Sequence, residues 1–405
     1  MTFYSPGKRN QADRKANSAG RRGIGKFPGV AQCMLYPDFS SVKVSKPTQG
    51  KTGKVFFIKD AKGQEFVLKF DPINPKSAYR ETFSSNFIKA VGMTEVTAPE
   101  TRLFKPGSRE YGQLKTFVAL DHGPEARELL QLLLKPPTDV AILQERVEGV
   151  PLTYDQSPDS EFQKFWADPN NQLKLGRMAA MDLMLGNWDR LWASFNEGNM
   201  LLKETEDNKV RKTTMVGIDQ FFSFMNLERI IRALDKKRDH FAPWTCSTKV
   251  GRDDVSYFDL PEEQHPADLM ERANGVSESF LAIIMETLTD FMGGGSLGNP
   301  LMRHLGNILI ASFEPNLGAI SIGFMEGCMA IAKWCDEKAE EFFSRNDFDA
   351  IHMEIEALKG TWRQVAGVIN IGVRDEIATK LTEEKKKLSI VEEPTRMDKF
   401  KRLFS

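Results

Sequence analysis

The segment LGNWDRLWASFNEGNML, Leu185 to Leu201, crowds Asn187, Asp189, Arg190, Asn196 and Asn199 between two apolar stretches. Transfer of a phosphoryl group to a hydroxyl needs an aspartate near the attacking oxygen and magnesium ligands near the leaving phosphates. Asp189 is a candidate for the first role and Asn199, with its uncharged amide oxygen, for the second. Magnesium prefers oxygen ligands and takes only one or two carboxylates from protein. Asp219, which ends the run Met215-Val216-Gly217-Ile218, supplies one such carboxylate. Asn196 competes with Asn199 for the metal, and Asn199 leads because it enters a strand through Asn-Met-Leu. The plain alternative for the whole set is a loop of satisfied polar groups.

Upstream, Lys69 interrupts the apolar strand pattern FVLKF. Burying an ammonium is costly unless it is paired. Glu81, in the first half of a helix pattern, is a candidate partner. A strand lysine held by a helix glutamate is how kinases set a cation on the α- and β-phosphates of ATP. Taken singly, Lys69 also fits a strand with a solvated face, and Glu81 a carboxylate favouring a helix N-terminus. Gln49 to Lys54 reads QGKTGK, but a P-loop would need glycine where Ser45 stands and a helix, not a strand, after it. Gly50 and Gly53 fit a hairpin turn, or a loop between strands that approaches phosphate closely.

Elements must position these residues. Residues 29–150 are strand-rich: SSVKVSK and KVFFIKD alternate, EFVLKF is a short apolar run, and Asp60 to Gly63 suits a hairpin turn. A helix starts at Asn74-Pro75, shows an apolar face through Phe83, Phe87 and Val91, and stops at Gly92. TRLFKPG and TDVAILQERVEG add strands, so the expected order is strands, one helix, more strands. Residues 151–385 are mainly helical, beginning with KLGRMAAMDLML, which stops at Gly186. Between them, Met200 to Lys203 and Thr213 to Ile218 form a hairpin turning at Glu206 to Asn208, which returns Asp219 to the neighbourhood of Asn199. A cleft between the two parts is a common place for a ligand. Residues 1–28 read as a basic disordered tail, with an acidic docking partner as the alternative, and 386–405 as a charged C-terminal tail.

Bulk properties narrow the partners. The chain has 405 residues, 41% hydrophobic and 27% charged, with net charge −1. Such a balance fits a globular body and gives no case for nucleic acid or a membrane surface as partner. Cys33, Cys246, Cys328 and Cys335 form no C-x-x-C pair, so a disulfide framework or zinc site is not expected and a reducing, cytoplasmic compartment is. MTFYSPGKRN has no apolar signal core. The most hydrophobic stretch, NILIASFEPNLGAISIGFMEGCMAIA, is broken by Glu314, Pro315 and Glu326, so no membrane span is expected.

The ordered set Lys69, Glu81, Asp189, Asn199 and Asp219 resembles that of a protein kinase-like fold. There is no H-R-D, full G-x-G-x-x-G or A-P-E; Ala242-Pro243-Trp244 is a faint echo of the last. Asp189 to Asn199 spans 10 residues, against about five in the usual catalytic loop. The pattern G-N-W-D-R…N-x-L…I-D-Q is similar to the catalytic domain of the actin-fragmin kinase family, an atypical serine/threonine kinase family, over roughly residues 34–224. The resemblance implies an α+β, bilobal protein kinase-like fold with a small β-rich N-lobe and a larger, mainly helical C-lobe. It implies ATP and Mg2+ as cofactors and a protein substrate, with actin bound to a severing protein as the family's own. The family's kelch repeats are not in this chain. Carried over, Asp189 is the base, Arg190 steadies the loop or the phosphates, Asn199 and Asp219 hold Mg2+, and Lys69, paired with Glu81, binds phosphate. Gly50 and Gly53 lie over the phosphates, and the backbone of Glu145 to Val147 meets adenine. A phosphatidylinositol-type lipid kinase, a small-molecule phosphotransferase and a pseudokinase binding module are the alternatives. The lipid kinase ranks lower because QFFSFMN, Gln220 to Asn226, has no basic residue to hold anionic head groups.

Overall fold

The computed structural model describes residues 37–47, 54–70, 75–93, 95–137, 140–151, 154–207, 210–220, 222–234, 266–294, 299–345, 348–370 and 373–388. Gly50, Gly53, the N-terminal tail, Cys33, Cys246, Ala242 to Trp244 and residues 389–405 lie outside them.

Alternation builds the first sheet. Strands β1 (Lys43–Ser45), β2 (Lys54–Lys59) and β3 (Glu65–Phe70) are antiparallel neighbours. Phe56, Ile58, Phe66, Leu68 and Phe70 are buried on one face, and Lys69 belongs to the opposite one. The turn between β2 and β3 is organised by Asp60, whose carboxylate accepts from the backbone N–H of Lys62, Gln64 and Asp38. Helix α1 (Pro75–Val91) follows and ends at Gly92 in the left-handed region, as its sequence suggests. Next come β4 (Val96–Thr97) and β5 (Thr101–Phe104).

Between β5 and the next strand the chain does not run on as strand. It forms α2 (Arg109–Val118) and α3 (Pro124–Leu134), so among the described residues the β-rich part holds three helices where one is expected. Ser108 caps α2 by accepting from the Tyr111 N–H, and Pro124 opens α3 where its missing N–H costs nothing. Strand β6 (Ala141–Glu145) then closes the five-stranded order β1-β2-β3-β6-β5.

A second sheet, β4-β9-β8-β7, joins segments from both sides of residue 150. Here β7 is Val150–Pro151, β8 Met200–Asp207 and β9 Val210–Gly217. The β8–β9 strands run further than the sequence suggests, pairing through Asp207 with Val210. The remaining elements are helical: α4 (Glu161–Ala167), α5 (Pro169–Leu185), α6 (Phe224–Leu234), α7 (Pro266–Met292), α8 (Pro300–Leu309), α9 (Leu317–Glu337), α10 (Ala339–Arg345), α11 (His352–Asn370) and α12 (Arg374–Lys387). The architecture is therefore α+β, β-rich first and mainly helical after. The charged stretch EGCMAIAKWCDEKAEEFF is divided between α9 and α10, interrupted at Lys338.

Helices α5 and α9 are the centre of the core. They cross so closely that a methyl group on Gly176 would lie 2.1 Å from the Ile320 carbonyl oxygen, and one on Gly323 1.9 Å from that of Leu173. Only glycine permits that approach. Among the described residues no helix is long and apolar enough to cross a membrane.

Candidate active site

Helix α5 delivers the polar loop. Gly186 ends it at φ 65°, and a side chain there would also strike the Ser223 carbonyl oxygen at 2.1 Å. The chain turns out of the helix with the Asn187 N–H donating to the Asp182 carbonyl oxygen at 2.8 Å. Two residues on, Asp189 is exposed while Arg190 is fully buried.

The Arg190 guanidinium is spent on protein atoms. It donates to Asp182 Oδ1 at 2.7 Å, to the Asn199 carbonyl oxygen at 3.2 Å and to the Ile218 carbonyl oxygen at 2.9 Å. It thus ties α5, the end of the loop and the end of β9 into one unit. Burial pushes Asp182 up to about 6 although Arg190 and Asn187 both pull it down. Asp182 was not singled out by sequence. The available signal was a carboxylate in the apolar run MAAMDLML, which demands a partner.

The β8–β9 hairpin sets Asn199 beside Asp219. Met200 pairs with Gly217, and the Ile218 N–H donates to the Asn199 carbonyl oxygen at 3.0 Å. Gly217 leaves room for this: a methyl group there would meet Gln220 Nε2 at 2.4 Å and the Arg190 guanidinium carbon at 2.9 Å. Asp219 follows at φ 49°, a left-handed conformation uncommon outside glycine, and its carboxylate is exposed. Backbone strain at such a position is a frequent mark of functional sites.

Five of the expected site residues are joined by three contacts. Lys69 Nζ lies 2.6 Å from Glu81 Oε1 and also contacts Asp219 Oδ1, 150 residues away in sequence. Asn199 Nδ2 donates to Asp189 Oδ2 at 2.9 Å. Only the amide nitrogen can donate to a carboxylate, so this bond fixes the side chain's orientation and leaves Asn199 Oδ1 for another partner.

The charges respond to these neighbours. Burial alone would pull Lys69 down, but Glu81 and Asp219 outweigh it and hold the ammonium above its ordinary value. Lys69 in turn holds the Asp219 carboxyl below its ordinary range, against the effect of burial. Desolvation by the surrounding protein raises Asp189 although its side chain reaches solvent, opposed by the Asn199 hydrogen bond and the Arg190 charge and reinforced by Asp219.

The hinge residues stand apart from this cluster but on the same sheet. Ile142 pairs with Lys69 across β3 and β6. Glu145 is three residues further along that strand, about 10 Å away. Its carboxylate accepts from the Glu100 N–H at 3.3 Å, which turns the side chain to the β5 corner. Val147 follows β6, half-buried.

A magnesium site built from these groups would use Asn199 Oδ1 and an Asp219 carboxylate held ionised. This is an all-oxygen pair with one carboxylate, matching the ion's preference. Among the described residues no cluster of three or more His, Cys, Asp or Glu is arranged to hold a metal. Magnesium would not need one, since it usually takes only one or two carboxylates from protein.

No protein-family model matches the chain, and no curated protein does. Solved structures similar to it include the Helicobacter pylori proinflammatory kinase CtkA, at 10% identity and a TM-score of 0.34, covering 85% of this chain and 97% of that one. Another is the Rio2 kinase from Chaetomium thermophilum in an ADP/Mg2+-phosphoaspartate complex, at 17% identity and a TM-score of 0.25, covering 51% of this chain and 58% of that one. Scores this low carry no residue assignment.

Proposed function

We propose that the chain is an ATP-dependent phosphotransferase that passes the γ-phosphoryl group to a serine or threonine hydroxyl of a protein. The observation that carries this reading is one set of three contacts. Lys69 joins Glu81 to Asp219, while Asn199 joins Asp189 to the end of the same hairpin. A cation, an ionised carboxylate, an amide oxygen and an exposed carboxylate of raised proton affinity are the parts that phosphoryl transfer requires.

In this reading Asp189 orients the acceptor hydroxyl and takes its proton. Its raised affinity suits a base better than an ordinary aspartate would. Lys69, kept charged by two carboxylates, meets the non-reacting phosphates. Asn199 and Asp219 hold Mg2+, which when bound offsets the charge on the phosphates. Arg190 is a positioning residue: its enclosed guanidinium steadies the loop and is not offered to phosphate. Residues 29–150 and 151–385 act as the two lobes, with the backbone from Glu145 to Val147 meeting adenine. The resemblance to the actin-fragmin kinase family makes actin, alone or bound to a severing protein, the first substrate to try.

The test is transfer of radiolabelled γ-phosphate to actin, actin–severing-protein complex, a peptide library and phosphoinositide vesicles. Label on a protein serine or threonine, lost in Asp189→Ala and Asp219→Ala, supports the reading. Label on lipid alone would replace it with a lipid kinase, and nucleotide binding with no transfer to any acceptor would replace it with a pseudokinase.

A further inference from the structure

Helix α1 brings Glu81 to Lys69, yet much of what holds α1 comes from the far end of the chain. Arg80, the residue before Glu81, meets Glu354 on α11 in a two-pronged ion pair. Its Nη2 lies 2.7 Å from Oε1 and its Nε 3.3 Å from Oε2, across 274 residues of sequence. Both side chains are only 16% exposed. Paired N–H donors facing both carboxylate oxygens fix direction as well as distance. Beside this pair, Phe83 packs on Phe348 at 5.2 Å and on Phe222 at 4.8 Å between ring centres. One turn on, Phe87 stacks on Trp362 of α11 at 4.9 Å. Trp362 is itself anchored, its Nε1 donating to the Met184 carbonyl oxygen at 2.8 Å, two residues before the Gly186 turn that opens the Asp189 loop.

An aromatic contact tolerates sliding and small rotations; a bidentate arginine–carboxylate pair does not. A turn of α1 about its axis that broke the Arg80 pair would swing the adjacent Glu81 as well, because successive helix positions are about 100° apart on one rigid cylinder. We propose that Arg80 and Glu354 are positioning residues for the phosphate-binding lysine. In this arrangement α11 sets the rotation of α1, and with it the Glu81–Lys69–Asp219 contact, so the C-terminal helices assemble the site from within the chain. The kinetic part of this inference rests on the phosphotransferase reading above; the positioning part does not.

Two readouts separate them. The first needs no activity: the rate at which an amine-acylating reagent labels Lys69 in the full chain, followed by mass spectrometry. Lys69 held between two carboxylates is poorly nucleophilic. Glu354→Ala and Arg80→Ala are expected to raise its labelling rate at least about threefold, and the exchanged pair Arg80→Glu with Glu354→Arg to bring it back toward wild type. The second readout is steady-state transfer. The same single variants are expected to lower kcat about tenfold with KM for ATP changed less than about threefold, and the exchanged pair to recover kcat. Glu326→Gln is the control. It weakens comparably enclosed ion pairs, with Arg177 of α5 and Lys385 of α12, in place of the Arg80 pair. A merely structural role would give Glu354→Ala and Glu326→Gln similar losses of thermal stability with no change in Lys69 labelling, and that result would overturn the proposal. Wild-type chain that neither binds ATP nor transfers phosphate would instead overturn the phosphotransferase reading, and the labelling result would still decide the positioning.

Discussion

Replacing Arg190 with methionine tests how the loop is held. The substitution keeps an unbranched apolar stem and removes the guanidinium. Asp182, fully buried, then loses its ion-pair partner. Stranding one member of a buried pair costs about 3–5 kcal/mol. The Ile218 carbonyl oxygen also loses its donor, which adds about 1–3 kcal/mol. The Asn199 carbonyl oxygen keeps the Ile218 N–H, so nothing more is charged to it. The expected loss of about 4–8 kcal/mol is a large part of a typical total stability of about 5–15 kcal/mol. Adding Asp182→Asn removes the stranded charge and keeps an acceptor for Asn187. The double variant should therefore recover most of the loss and retain a deficit of about 1–3 kcal/mol. The deficit of the single variant should depend on pH. Asp182 already sits at about 6 in the wild type, and loss of Arg190 raises it further. A carboxyl with a raised folded-state value contributes stability that is present at low pH and is lost as pH rises through that value. The gap between wild type and Arg190→Met should therefore widen above about pH 6 and shrink near pH 5 to about 1–3 kcal/mol, the cost of the lost Ile218 hydrogen bond. Urea denaturation followed by circular dichroism between pH 5 and 8 measures this. A deficit under about 1 kcal/mol, a deficit independent of pH, or a double variant no more stable than the single one would each refute the reasoning.

Other consequences are simpler to read. Gly323→Ala should prevent soluble folding, because its methyl group would lie 1.9 Å from the Leu173 carbonyl oxygen, whereas Gly275→Ala, with nothing within 4 Å, should add about 0.5–1 kcal/mol to stability; expression and thermal melts compare them. Lys69→Met should leave the chain folded by circular dichroism and lower γ-phosphate transfer more than a hundredfold, about 3 kcal/mol of transition-state stabilisation. The acid limb of the kcat/KM profile should lie above the ordinary aspartate range, because burial raises Asp189, and activity should fall as pH drops through that value. A profile flat down to pH 4 would remove Asp189 as the base. Asp219, held down by Lys69, should remain ionised across the same range.

Local rules made part of this structure legible from sequence and left the rest hidden. Strand alternation placed Lys69 on the face opposite Leu68, helix spacing set Phe83 and Phe87 together, and the return of one hairpin put Asp219 near Asn199. Each of these depends on residues close in the chain. The helices α2 and α3 are also written locally, in the Ser108 cap and in Pro124, but they are short and lie between two strand patterns that read as continuous. Asp182 is different: its composition announces a buried charge and not which residue answers it. The Arg80–Glu354 pair and the close crossing of α5 and α9 join segments far apart in the chain, and no local rule connects them. Arg190 shows the limit most clearly. Its place beside Asp189 suggested either loop or phosphates, and only its burial decides for the loop.

The most direct test is a calorimetric titration of the full chain with ATP, with and without Mg2+, repeated on Asp219→Asn. The expected result is saturable ATP binding by the wild type that strengthens with Mg2+, and loss of that Mg2+ dependence in the variant. Absence of ATP binding by folded wild-type chain, or an equal Mg2+ dependence in Asp219→Asn, would contradict the assignment of this site.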